Sequence, residues 1–215
     1  MRQTEHHLLQ ELGEHLPHAI FGVTAGILLL GVLSFLSVLF KAQEDMVRAS
    51  SDLFHVFHSV HILLSAITTT AMFWWHGIRF LRALLIGLIE AIGVCGVGDI
   101  LLPFLGGRLL GMPMDFHLCM LEHPRRILPF VLIGLLCGFL VPRAIQKSTQ
   151  YSHVVHILVS SMASIFYLIS FGFTSWINVL GSIFVITIAA VVLPCCVSDV
   201  VFPLWVVKMD ENARA

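Results

Sequence analysis

Six apolar runs, at about 17–40, 54–75, 80–105, 127–142, 152–172 and 179–206, limit this chain to very few folds. A helix rising 1.5 Å per residue needs roughly 20 such residues to cross a hydrocarbon layer, with shorter or tilted helices at the margins. No water is present there to bond exposed backbone groups, so each run must satisfy its own N–H and C=O groups as a helix. Apolar side chains make up 58% of the 215 residues and charged ones 12%, more apolar surface than a soluble core of this size can cover. The expected fold is therefore an all-α integral membrane protein with six transmembrane helices. A polar start carrying Arg2, Glu5, Glu11 and Glu14, with no small-residue cleavage pattern after it, argues against a removable signal peptide. A formal charge of −1 leaves no basic surface for nucleic acid.

The polar residues inside these runs recur in order. Residues 14–105 slide over 122–206 so that Glu14 and His15 meet Glu122 and His123, and Gly26 meets Gly134. With small loop differences, His58, His61 and Ser65 fall on His153, His156 and Ser160, and Cys95, Asp99 and Pro103 fall on Cys195, Asp199 and Pro203. Apolar composition alone can match leucines but does not put rare polar groups in the same order, so the chain reads as a duplication. The units are 1–105 and 122–215, joined by a linker at 106–121 that holds Gly106, Gly107, Gly111 and Pro113. Three helices per unit is odd, so the second unit crosses in the opposite sense, as two inverted-topology three-helix repeats. Arg2, Arg79, Arg82, Arg143, Lys147, Lys208 and Arg214 share one side, which favours cytoplasmic termini in a multi-pass protein of the cell or inner membrane.

Twelve histidines are the chemical hint in this composition. His58 and His61 lie about 60° apart around a helix, as do His153 and His156, so each pair presents two imidazoles on nearly one face. Cys95, Asp99 and Pro103 recur every fourth residue, and proline lacks the N–H that would bond the carbonyl of Asp99. By helix order, His55, His58, His61, Cys95, Asp99, Glu122 and His123 gather near one face, and Glu14, His15, His18, His153, His156, Cys195 and Asp199 near the other. Imidazole, carboxylate and thiolate suit a divalent transition ion, zinc first, with iron, manganese, cobalt and nickel as alternatives, whereas calcium and magnesium prefer oxygen cages. Cys95 and Cys195 read equally well as ligands or as small apolar filler. Glu90, about 13 Å along the helix from Asp99, is a candidate for a proton route.

The remaining polar residues have ordinary readings. His6, His7, His76 and His117 lack repeat partners and read as solvated or interfacial, while Trp74, Trp75, Trp176 and Trp205 suit an interfacial belt. Ser65, Ser160, Gly22 and Gly26 read as helix-contact residues, and the G-x-x-x-G spacing of helix one offers a face for a homodimer. The leading expectation is a transporter for a divalent transition metal, with the ion as substrate and the lipid bilayer as surroundings. A di-haem redox protein with histidine axial ligands is the alternative, and a metal-dependent intramembrane hydrolase a further one. No Walker-type phosphate loop is present, which argues against ATP-driven transport by this chain alone.

Overall fold

The apolar runs fold as long helices, described here from a computed structural model over residues 2–140, 149–172 and 176–196, with the side chains of 2–12, 14, 149–153 and 196 also outside the description. In order, α1 spans Arg2–Leu39, α2 Met46–Trp75, α3 Phe80–Leu109, α4 Cys119–Glu122, α5 Pro124–Leu140, α6 Thr149–Phe171 and α7 Leu180–Cys196. Short 3₁₀ turns at Gln43–Asp45 and Trp176–Val179 lead into α2 and α7. No strand occurs among the described residues. Among the described residues, five segments are long and apolar enough to cross a membrane: His15–Leu39, Gln43–Trp75, Phe80–Leu109, Val154–Phe171 and Trp176–Cys195. α5, which takes up the fourth apolar run, is described over 17 residues, the lower limit for a span. Large apolar side chains such as Phe21, Leu28, Phe35, Leu81, Leu132 and Val185 stay exposed on the outer surface, as a lipid-facing shell requires.

α2 is the central helix. It packs against α5, α6 and α3, while α1 packs against α6 and α7. α2 and α6 are antiparallel: Phe54 meets Tyr167 and Phe171, Phe57 stacks on Phe166, and His61 meets His156, one position falling as the other rises. Buried Phe54, Ile62, Ala66, Val131, Leu135, Ile165, Phe166 and Tyr167 form the core between them.

Two pairs of glycines set close contacts between helices. On α1, a Cβ at Gly22 would lie 2.8 Å from Ser161 Oγ, and one at Gly26 2.5 Å from Ile165 Cδ1, with Met162 also near. On α5, a Cβ at Gly134 would lie 2.6 Å from Ala66 Cβ and 2.9 Å from the Leu63 carbonyl, and one at Gly138 2.7 Å from Thr70 Cβ and 2.9 Å from the Ile67 carbonyl. Only a residue without a side chain permits these approaches, the usual role of small residues between membrane helices. The Gly22–Gly26 face, read from its spacing as a face for a homodimer, is covered by α6 of the same chain.

α3 departs from regular geometry. Its turns widen to π-helix at Glu90–Val94 and again at Val97–Leu101, so the Cys95 N–H donates to the Glu90 carbonyl and the Leu102 N–H to the Val97 carbonyl, five residues back. Gly93, Gly96 and Gly98 weaken the α-helical preference here, and Pro103 supplies no N–H to the ladder. The Gly98 carbonyl instead accepts the Ser164 hydroxyl at 3.3 Å, which ties the widened turn to α6. Such turns re-aim the side chains they carry, and these carry Glu90 and Asp99.

Candidate functional site

Asp99 projects from the second widened turn of α3 and is fully buried. The Nδ1–H groups of His58 and His61 both donate to its Oδ2, at 2.8 and 2.7 Å, and the Ser160 hydroxyl donates to its Oδ1 at 2.9 Å. One carboxylate therefore joins two histidines of α2 to a serine of α6. A carboxylate on Nδ1 fixes the tautomer and leaves Nε2 to act as acceptor or ligand, a support common behind metal-bound histidine. The Nε2 of His61 faces His156 Nε2 at 2.7 Å, with Cys95 Sγ 3.7 Å away. With its Nδ1–H committed to Asp99, a neutral His61 accepts the Nε2–H of His156. His61 stands midway along α2 and Cys95 midway along α3, so the cluster occupies the middle of the bundle.

This placement departs from the sequence expectation in two respects. His156, expected at the opposite face from His61, is in contact with it. The apolar run starts at Phe54, but α2 starts at Met46, so the paired histidines lie well inside the helix rather than near its end. Glu122 and His123, expected beside Asp99, lie elsewhere, in a second cluster at the N-terminal end of α2.

That second cluster joins α2 to the segment between α3 and α5. The Nδ1–H of His55 donates to the Ser51 carbonyl at 2.7 Å, and its Nε2 faces His117 Nε2 at 3.2 Å. The Nδ1–H of His117 donates to Glu122 Oε2 at 2.8 Å, while Glu122 Oε1 accepts the Leu118 N–H. Cys119 is buried beside them, and one ligand atom from each of His55, His117 and Cys119 lies within 4.8 Å of the others. The His123 ring centroid is 5.1 Å from that of His55 and 5.5 Å from that of His117. The segment is held in place from α6: the His117 N–H donates to the Tyr167 hydroxyl, whose O–H donates to the Asp115 carbonyl, and the Asp115 N–H donates to the Phe171 carbonyl. Burial pushes the Cys119 thiol up to about 12, aided by the Asp99 and Glu122 charges. Burial also lowers the His117 pKa, against the upward pull of Glu122.

Phe54 separates the two clusters. Its ring stacks on His58 at 5.4 Å and lies 5.2 Å from His55 and 6.2 Å from His117. His117, expected to be solvated or interfacial, is instead buried, 7% exposed. His55 precedes His58 by the same three residues that separate His58 from His61, which extends the histidine stripe one turn toward the loop, but nothing in that spacing pairs it with His117.

Of the remaining candidates, His15 is buried on α1, one turn before Ala19, which packs with Ile157, Val191, Val192 and Cys195. Glu90 is buried at the start of the first widened turn of α3, with Cys95 between it and Asp99 along the chain. The side chains of Glu14 and His153, and all of Asp199, lie outside the described residues. The four described cysteines, Cys95, Cys119, Cys137 and Cys195, are free thiols. Comparison with protein-family models, curated proteins and solved structures gave no match to this chain.

Proposed function

We propose that the chain is a multi-pass membrane carrier for a divalent transition-metal ion, built as two inverted three-helix repeats and exchanging its substrate ion against protons at the central cluster. The observation that carries this reading is the contact of His61 with His156. These residues hold the same place in the two copies of H-x-x-H-x-x-x-S, and they meet between antiparallel helices, His61 at the middle of α2 and His156 in the first half of α6. A two-fold axis between repeats would pass through such a contact, and inverted-repeat carriers place their substrate sites at the repeat interface near the membrane midplane.

The glycine pairs support the duplication independently. Gly22 and Gly26 of α1 meet positions 158, 161, 162 and 165 of α6, while Gly134 and Gly138 of α5 meet 63, 66, 67 and 70 of α2. These α2 and α6 positions correspond under the alignment that equates His61 with His156. The first helix of each repeat then aligns Gly22 with Gly134 and Gly26 with Gly138, one turn away from the Gly26–Gly134 match drawn from sequence.

His61 and His156 offer Nε2, and Cys95 a sulfur, to the substrate ion. Two nitrogens bound to one tetrahedral ion at about 2.0–2.1 Å stand roughly 3.3 Å apart, so the 2.7 Å contact must open to admit it and the proton held between the rings must leave. Metal and proton thus compete for the same atoms, which is the requirement for exchange. A di-haem reading needs room for a porphyrin between paired axial imidazoles, and these rings are in hydrogen-bond contact. A proton-conducting protein without a metal is the second reading, favoured by the continuous chain from Ser160 through Asp99 and His61 to His156.

The deciding experiment is metal uptake into proteoliposomes loaded with a metal-sensitive dye, with and without a pH gradient. Uptake driven by the gradient and lost in both His61→Ala and His156→Ala is the expected result. Proton flux without metal uptake would select the second reading, and uptake unchanged in both variants would overturn the carrier site.

A further inference from the structure

In a metal site, each ligating histidine uses one ring nitrogen for the ion and donates the other N–H to a carbonyl or carboxylate. His55 and His117 both meet this condition: Ser51 O takes one Nδ1–H and Glu122 Oε2 the other, leaving two Nε2 lone pairs that face each other at 3.2 Å. Two neutral imidazoles so oriented would repel unless something positive lay between them. Their separation is close to the roughly 3.3 Å between nitrogens sharing one tetrahedral ion. A buried thiol, Cys119, lies in reach of the same point.

We propose that His55, His117 and Cys119 form a second metal site, selective for a borderline-to-soft divalent ion such as zinc or cobalt. Two imidazoles and a thiolate suit such ions and are poor ligands for magnesium or calcium. As the ion binds, the S–H bond breaks, its proton passes to solvent, and sulfur takes the third ligand position. The fourth position lies toward His123. A surface pocket lined by Leu121, Glu122, His123, Pro124, Arg125 and Arg126 lies on that side of the cluster. The site is therefore placed to capture the ion at the bundle face, with Phe54 between it and the central cluster. That capture role rests on the carrier reading above; the site itself does not.

The test is a cobalt(II) titration of the detergent-purified full-length chain, read by the near-ultraviolet thiolate-to-cobalt charge-transfer band. In a Cys95→Ser background, which removes the thiol of the central cluster, the band should appear, be lost on adding Cys119→Ser, and weaken at least tenfold in apparent affinity on adding His117→Ala. No band in that background, or a band kept on adding Cys119→Ser, would overturn the site. Should the chains carrying Cys119→Ser or His117→Ala not elute as single species, X-ray absorption at the zinc edge decides on the Cys95→Ser protein. One sulfur among nitrogen neighbours supports the site, and an all-nitrogen or all-oxygen shell overturns it. Cobalt bound through Cys119 without proton-driven uptake would leave this site standing and remove the carrier reading, whereas uptake without a Cys119 band would do the reverse.

Discussion

In the loop cluster two Nε2 atoms stand 3.2 Å apart beside a thiol, and in the central cluster two stand 2.7 Å apart beside a buried carboxylate. Both use the same device, a carboxylate that accepts a histidine Nδ1–H: Glu122 for His117, and Asp99 for His58 and His61. The difference lies in burial and in who supplies the partners. Glu122 is half exposed at 49%, at the end of the short helix α4, while Asp99 is fully enclosed between α2, α3 and α6. A half-solvated carboxylate can rearrange around an ion at small cost. An enclosed one must keep its partners, so on the carrier reading the central cluster would serve exchange and the loop cluster would hold an ion.

The largest predicted effect breaks this contrast most directly. Asp99→Asn removes the charge that orients two imidazoles and leaves buried donors poorly matched. Removing one partner of a buried pair destabilises by about 3–5 kcal/mol, and losing such a support weakens metal affinity by about 10- to 100-fold. Glu122→Gln, at a solvated pair worth about 1 kcal/mol or less, should change affinity only a few-fold. Thermal unfolding followed by tryptophan fluorescence and zinc titration measure both. Equal effects from the two substitutions would dissolve the distinction between the clusters.

The next effect tests whether the halves are equivalent. Gly26→Leu on α1 and Gly138→Leu on α5 both force a side chain into a neighbouring helix, and overpacking of this kind costs about 1–3 kcal/mol. If the halves are repeats, the two losses should be alike. Gly31→Leu, with no atom within 4 Å of the added Cβ, should leave stability unchanged. A large loss at one glycine of the pair and none at the other would count against the duplication.

The helices were legible because apolar run length and the bilayer's demand for internal backbone bonding leave a single solution. His58, His61 and Asp99 were legible as a group because spacing places them on facing stripes. Their depth was not, since hydropathy marks where lipid begins and α2 continues eight residues beyond, from Met46. His156 was assigned to the opposite face for the same reason. The wide turns of α3 had a signal in Gly93, Gly96, Gly98 and Pro103, but spacing could not say that two turns would open or that Ser164 would take up a carbonyl. Cys119 and His117 were missed because a loop has no periodicity to read. Only the fold over α6, through Tyr167 and Asp115, brings them to His55.

The smallest effect concerns the mouth of the loop cluster. Arg126 lines the pocket beside His123 and is close enough for its charge to act on His55. An ion approaching by that route meets this positive charge, with Glu122 the nearest opposing one. Unlike the Asp99 pair, the contribution is solvent-screened: at an effective dielectric between protein surface and water it amounts to about 1 kcal/mol at short range. Arg126→Gln should therefore raise cobalt affinity at the loop cluster by about fivefold at low salt, and the gain should shrink as ionic strength rises and the screening length falls below about 10 Å. Titrations at two salt concentrations measure it. A gain independent of salt would point to a changed loop conformation instead of removed charge, and a loss of affinity would mean that Arg126 helps hold the His123 turn, whose carbonyl accepts its backbone N–H at 2.9 Å.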